Sequence, residues 1–423
     1  MPIIQKKILV IGHIWPEPLA TAAGVRMLQL VEGFKELGYE IIFASAALKT
    51  EHSNDFGKMD VEEIAIKLND SDFDKLLVEH KPDVVMFDRF MTEEQYGWRV
   101  AEQLPGCLRI LNTEDLHSLR AVREQDHKEN RMFSTAQWLQ SDMAKREMAS
   151  IYRSDLNLII SRFEIDFLVE KAFIPSHLLM YLPFLHNKIG SGQNTGLPGF
   201  DERVDFVFIG NGKHSPNRDA IHWLNTELWP LIKKELPKST LHVYGAYLPE
   251  TLQNLHQPEI GFEVHGWTED INQVLKKARI NLVPLRYGAG LKGKIFQAMT
   301  CGTPNIATEV GLEGLDSVAP DNDSELSDAQ RFAIRAVQLY KDKSGWLEQQ
   351  RSDQELLRAQ FNRDSFLEQL KDQLDHKTEH LQEHRLKNPV GSMLLHHTMA
   401  STRHLSKWIE LKNQTYRAPE MKK

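Results

Sequence analysis

Short runs of apolar and β-branched residues alternate along the chain with longer stretches whose apolar positions recur every three to four residues. This is the pattern of parallel strands joined by crossover helices. In the first half, residues 7–12 (KILVIG), 40–46 (EIIFASA), 83–87 (DVVMF), 108–111 (LRIL) and 156–160 (LNLII) are expected as strands. A helix is expected from Gly24 to Leu37, ended by Gly38 as its C-cap. The grammar breaks at 186–203 (HNKIGSGQNTGLPGFDER), where glycines, a proline and polar residues give a linker composition. It then restarts with strands at 205–210, 240–245, 262–265, 280–285 and 304–308 and helices at 218–235, 270–278 and 294–300. From about residue 325 the chain turns helical and charged, and 343–387 is expected as long solvated helices. Residues 393–411, with Met393, Leu395, Met399, Trp408 and Leu411 among basic residues, suit an amphipathic helix, and packing on the protein is favoured over a membrane surface.

The fold class that follows is α/β, with two Rossmann-like doubly wound domains facing a cleft and a helical C-terminal extension. The expected boundaries are 1–185 for the first domain, 186–203 for the linker, 204–345 for the second domain and 346–423 for the helical segment and tail. A length of 423 residues suits two cores, and a composition 41% hydrophobic and 26% charged is that of a folded chain. The formal charge of -8 argues against a nucleic-acid-coating protein. Two cysteines, Cys107 and Cys301, give neither a disulfide framework nor a cysteine zinc site, which points to a reducing, cytoplasmic setting. The apolar run near the N-terminus reads as a first strand, and no stretch approaches 18 apolar residues. Membrane contact is therefore expected only as peripheral contact of the tail at the inner face.

The chemistry concentrates in two loops. Residues 284–302, PLRYGAGLKGKIFQAMTCG, follow a strand and enter a short helix, with three glycines in the first ten residues for close backbone approach and Arg286, Lys292 and Lys294 as cations near the helix start. That combination suits a diphosphate; the plainer alternative is a tight turn whose lysines point into water. Gly288 to Lys294 also fits G-x-x-x-x-G-K, but Ile295 stands where a P-loop has its magnesium-binding hydroxyl. In the first half, LRILNTEDLHSLR (108–120) places Glu114, Asp115, His117 and Arg120 just after a strand, where α/β sheets present ligand-binding groups. Alternatively Thr113 or Asp115 caps a helix and Arg120 sits in a surface pair. His13, at a strand end, is expected to be structural. In the tail, His380-Leu-Gln-Glu383-His384 matches the H-x-x-E-H zinc-protease pattern, with His376 one turn earlier, yet its polar surroundings favour a solvated helix.

Three segments, IGNGKHSPNRDAIHWL (209–224), the stretch 264–315 and the N-terminal PLATAAGVRMLQLVEGFKELGYEI, together resemble GT-B glycosyltransferases of the group 1, GT4-like type. The resemblance covers roughly 6–365 and is strongest over 205–315. It implies a nucleotide-sugar donor, UDP- or GDP-linked, in the second domain, an acceptor hydroxyl of a glycan, lipid-linked or protein acceptor in the first, and transfer with retention in the cleft between them. It implies no cofactor and no metal, and the acidic net charge argues against a nucleic-acid partner. Donor binding would then fall to Gly212, Lys213, Arg286, Gly290, Leu291, Lys292, Lys294 and Gln297, and the chemistry to His117, Asp115 or Glu114. The loop PEPLATAAGVR, with Gly24 and Arg26, would lie over the cleft. One departure stands out. Two glutamates spaced by seven residues are usual before the A-M-x-x-G turn, and here those positions are Ala289 and Gln297. Gln297 keeps hydrogen-bonding capacity for ribose hydroxyls, whereas Ala289 does not, so a non-catalytic scaffold or sugar-binding relative is the alternative.

Overall fold

The computed structural model describes residues 6–187, 196–315 and 326–417. Two parallel sheets form its frame. The first runs β3-β2-β1-β4-β5-β6-β7, with β1 (Lys7–Gly12), β2 (Glu40–Ser45), β3 (Glu62–Ala65), β4 (Val84–Asp88), β5 (Leu108–Glu114), β6 (Leu156–Ile159) and β7 (Leu179–Tyr181). The second runs β10-β9-β8-β11-β12, with β8 (Val204–Ile209), β9 (Leu241–Tyr244), β10 (Phe262–Gly266), β11 (Ala278–Val283) and β12 (Asn305–Ala307). Central strands such as β1 and β4 read as continuous apolar runs because helices cover both faces, so each residue is buried whichever way it points. The order reverses between β1 and β4 and again between β8 and β11. Ligand crevices open at such switch points, beyond the carboxyl ends of the strands.

The ten expected strands are present, and two more appear. β3 (EEIA) is an edge strand with no buried residue, and β7 has three residues, so neither shows an apolar run. The expected helix at 24–37 spans Ala22–Glu36, and Gly38 follows it at φ +87°. The helix expected at 218–235 is two helices, Ser215–Trp223 and Trp229–Glu235, joined by a π-turn at Leu224–Leu228 just before Pro230. Of the linker region, residues 188–195 lie outside the described residues.

The helices from 343 onward are not long solvated rods. Lys343–Gln360 places Trp346 and Leu357, with Phe361, in the core of the second domain. The chain then crosses back: His186 N donates to Phe361 O (2.7 Å) and Arg363 N to His186 O (3.1 Å). Arg363–Glu379 sets Phe366, Leu367, Leu370 and Leu374 into the core of the first domain, joined by Leu381. These apolar residues recur at three- and four-residue steps, a stripe narrow enough to be hidden by the charged composition around it. Pro389–Arg417 lies against Phe90–Gln103 and Asp142–Arg153, with Met399 and Ser406 buried and Arg99 reaching Glu410 (3.5 Å). Met393, Leu405, Trp408 and Leu411 remain exposed. No helix among the described residues is long and apolar enough to cross a membrane.

The H-x-x-E-H segment is a short helix with mostly exposed residues, as expected, and it also makes contacts with the first domain. His380 terminates one helix and precedes another, Leu381–Leu386, so the pattern does not lie on one continuous helix face. His384 Nε2 meets the Asp155 carbonyl (2.8 Å), Arg385 binds the Asp155 carboxylate through two 2.8 Å bonds, and Glu383 pairs with Lys387 at the surface. The segment docks the tail onto the first domain.

Candidate active site

Loops after β1, β4, β5, β8 and β11 line a cleft of about 550 Å³ between the two domains. Its lining includes Glu114, Asp115, His117, Lys213, Gly290, Leu291, Lys292, Lys294, Gln297 and the loop residues Ala20 to Ala23. Gly212, Gly24, Arg26 and Arg286 do not line it.

On the second domain, β11 feeds the glycine loop into the helix Gly293–Thr300, whose first turn carries no side-chain cap and faces the cleft. Gly290 adopts φ +67°, and a Cβ there would come within 2.7 Å of Asp115 Cβ, so only glycine lets this loop close on the opposite domain. Glu164 holds that approach. Its Oε1 accepts from Gly290 N (2.8 Å) and from Leu116 N (2.8 Å), one residue from each domain. Burial pushes the Glu164 carboxyl up to about 7. Lys292 Nζ donates to the carbonyls of Gly290 (2.6 Å) and Ala289 (3.3 Å), and burial pulls it down to about 8 against the attraction of Glu313 and Glu164. Lys294 Nζ donates to Asn217 Oδ1 (2.6 Å) and lies 4.4 Å from the Phe208 ring centre. It pairs with no carboxylate among the described residues, and burial, reinforced by Lys292, pulls it down to about 7. Lys213 packs its ammonium 3.4 Å above the Tyr247 ring. At Gly212 a Cβ would meet Tyr247 O at 2.3 Å, so the backbone packing there requires glycine. Gln297 donates to Asn272 Oδ1 (3.1 Å), and Ala289 joins the apolar cluster of the first domain. Arg286 is held in a bidentate pair with Asp219 (2.8 and 2.5 Å) outside the lining.

On the first domain, β5 ends with Glu114 at φ +59°, a left-handed conformation uncommon for a non-glycine residue. Its carboxylate accepts from Asn112 Nδ2 (2.8 Å) and lies 3.6 Å from Arg26 Nε. Burial pushes it up, against the pull of Arg26. Arg26 is itself buried, donating to Pro183 O (2.8 Å) and Asn112 Oδ1 (3.3 Å), so it meets Glu114 from beneath the cleft floor. Asp115 pairs with Arg120. His117 sets Nδ1 near the Asp115 carbonyl (3.0 Å) and carboxylate (3.3 Å) and donates its backbone N–H to Glu147 (2.9 Å); burial lowers its pKa. The helix His117–Lys128 is capped by the side chain of neither Thr113 nor Asp115. Gly24 lets the preceding loop fold back, since a Cβ there would meet the Glu17 backbone at 2.4 Å.

Three contributors escape sequence reasoning. Arg89 lines the cleft at φ +72° with Nε lacking a hydrogen-bond partner, Asn217 holds Lys294, and Glu164 bridges the loops. Asn217 sits at the end of GNGKHSPN and was legible there; Arg89 and Glu164 lie in ordinary strand-end and helical contexts without a motif.

Residues 203–342 match the family model for glycosyl transferases group 1. That stretch is a group 1 glycosyltransferase domain. The whole chain has the GT-B fold. It is similar to sucrose-phosphate synthase from Thermosynechococcus elongatus (TM-score 0.61, 16% identity, covering 87% of this chain and 98% of that one). It is also similar to Anabaena HepE in complex with UDP (TM-score 0.62, 12% identity, 88% and 100%) and to WaaG, a glycosyltransferase involved in lipopolysaccharide biosynthesis (0.57, 12%, 86% and 98%). No curated protein sequence matches the chain. Within the glycosyltransferase domain, the loop at 288–294 is the connection after β11, the domain's fourth strand, and Ile295 is buried, so the P-loop requirement for a hydroxyl at that position is unmet.

Proposed function

We propose that the chain transfers a sugar from a UDP- or GDP-linked donor to a hydroxyl of a glycan, lipid-linked or protein acceptor. In this reading transfer proceeds with retention, without cofactor or catalytic metal, and serves cell-surface glycan or glycoconjugate synthesis. The observation that carries it is the pair Lys292 and Lys294, desolvated at the start of a helix that opens into the interdomain cleft. Fixed cations and backbone amides in a water-poor site stabilise the charge that develops on a leaving nucleoside diphosphate. Lys213 flanks the same space, and Gln297 is placed for donor hydroxyls. On the facing wall, His117 and Asp115 are the groups that contact the transferring sugar or accept the acceptor proton, with Glu114 beneath them. Related GT-B structures support a nucleotide-sugar donor: Anabaena HepE is known in complex with UDP and with UDP-glucose. We place the protein in the cytoplasm. Met393, Leu405, Trp408 and Leu411 fall within an arc of about 120° on an α-helix, near Lys407 and Lys412, a composition suited to peripheral contact with an anionic inner membrane face.

A second reading rests on Ala289, whose methyl is buried where relatives of the resembled family carry a carboxylate: a non-catalytic relative acting as a scaffold or sugar-binding protein. A thermal-shift panel of nucleoside diphosphates and nucleotide-sugars, followed by turnover assays on the stabilising donor, separates these. Stabilisation by UDP or GDP species with sugar transfer is expected. Binding without transfer under any acceptor supports the sugar-binding form of the second reading, and the absence of stabilisation by any nucleotide overturns the first reading and favours a scaffold.

A further inference from the structure

At the outer edge of the second sheet, three side chains converge. Glu263 on β10 lies directly across from His242 on β9 in the parallel register, and His265, two residues later, falls on the same face. His242 Nδ1 and His265 Nε2 are 2.9 Å apart, and Glu263 Oε2 is 3.4 Å from each. A point equidistant from these three atoms lies about 1.9 Å from each, close to the ~2.0–2.2 Å bond lengths of zinc to imidazole nitrogen and carboxylate oxygen. An ion at that bond length sits about 0.8 Å out of the triangle's plane, with the fourth tetrahedral position open to solvent. The two 3.4 Å edges also match the ligand–ligand separation of about 3.3 Å that a tetrahedral zinc site of this bond length requires, and the 2.9 Å edge between the imidazoles is shorter by about 0.4 Å.

A second, independent feature supports a ligand. The other ring nitrogen of His242, Nε2, lies 3.6 Å from Asp205 Oδ2, the carboxylate–histidine arrangement that orients metal-binding imidazoles. Asp205 is itself fixed, accepting from Thr240 N (2.8 Å). His265 is held from the side by stacking on Tyr244, with ring centres 4.6 Å apart. Each of the three groups is 28–30% exposed, so an ion has access from solvent. Two imidazoles and one carboxylate form a borderline donor set that favours zinc-class ions over magnesium or calcium.

We propose that His242, Glu263 and His265 bind a divalent transition-metal ion of the zinc class, with Asp205 as the positioning carboxylate. The sequence gives no hint of it, because the three ligands come from two strands without a metal-binding spacing. The role is structural. β10 is the edge strand of its sheet, and an ion bridging it to β9 fastens this edge. The strand leads to Trp267, which stacks on His52 of the first domain (4.9 Å) and donates to Leu19 O (3.0 Å), so the clip also steadies a segment that spans the domains. The proposal does not depend on the donor reading.

The test uses the full chain, freed of metal by chelation and titrated with Zn2+ and, for spectroscopy, Co2+. One equivalent of zinc is expected to bind and raise the melting temperature, and Co2+ is expected to give the visible absorption of a low-coordinate site. His265→Ala and Glu263→Gln should each weaken binding by at least about tenfold, and Asp205→Asn by about 10–100-fold. His265→Gln serves if His265→Ala does not fold. The double variant His376→Ala/His380→Ala should bind as wild type. No zinc binding by the folded wild-type chain, wild-type affinity in folded His265→Ala or His265→Gln, or loss of binding in the tail variant would overturn the proposal.

Discussion

Both domains bring cations to the cleft or just beneath it, but they hold them differently. On the first domain, Arg26 is beside Glu114 and Arg120 beside Asp115, and Arg123 crosses to a bidentate pair with Glu313. On the second, Lys294 has an amide oxygen and an aromatic face but no carboxylate, and Lys292 leans on two carbonyls of its own loop. A buried cation paired with a carboxylate is spent on architecture. One that is desolvated without such a partner costs stability until an anion arrives, and that cost is what binding relieves. Arg89 is the exception on the first wall: it lines the cleft and forms no ion pair with a carboxylate among the described residues.

The largest effect expected from this contrast lies in stability. Arg26→Ala should destabilise the fold by about 3–5 kcal/mol, because it strands Glu114 and removes two further buried hydrogen bonds. Urea unfolding of the ligand-free protein measures it. A loss below about 1 kcal/mol would break the assignment of Arg26 to architecture.

Lys294→Met should do the opposite. Removing a desolvated cation leaves stability unchanged or raised, while donor diphosphate affinity falls by about 10–100-fold, equivalent to about 1.5–3 kcal/mol for a charge-assisted contact. Calorimetric titration with the stabilising nucleotide checks it, and a stable variant of wild-type affinity would remove Lys294 from the donor site. The same lysine sets a pH dependence. Its pKa is lowered to about 7 in the ligand-free protein, and that of Lys292 to about 8. A bound anion raises both, so above pH 7 binding takes up protons. Affinity should fall as pH rises through 7 and 8, by up to about tenfold per pH unit for each proton taken up. Titrations in buffers of different ionisation enthalpy read the uptake directly, and Lys294→Met should reduce it.

The doubly wound frame was legible because buried parallel strands must be apolar throughout and their crossover helices must carry a stripe. What escaped was short or charged: β3, with two glutamates at an exposed edge, β7, with three residues, and the apolar stripe of Arg363–Glu379 buried on the opposite domain. At the site, the glycine loop announced itself through its spacing, but pairing did not. Nothing in one dimension tells that Asp219 lies within reach of Arg286, or that Glu164 receives amides from both domains.

Arg286 gives the smallest and sharpest test of the comparison, because sequence alone ranks it with Lys292 and Lys294 as a diphosphate ligand. In the fold it belongs with the paired cations. Its guanidinium engages both oxygens of Asp219, which also lies 3.5 Å from His127 of the first domain, and packs 5.2 Å from the Trp223 ring centre. Its side chain is about one-third exposed, so the pair is screened and contributes about 0.2–1 kcal/mol to stability. Arg286→Ala should therefore change donor affinity by less than about 0.5 kcal/mol, roughly twofold, while Lys294→Met changes it at least tenfold. If Arg286→Ala instead weakens donor binding as strongly as the lysine variant, Asp219 must release it when the donor enters. In that case pairing in the empty cleft does not separate the two classes of cation.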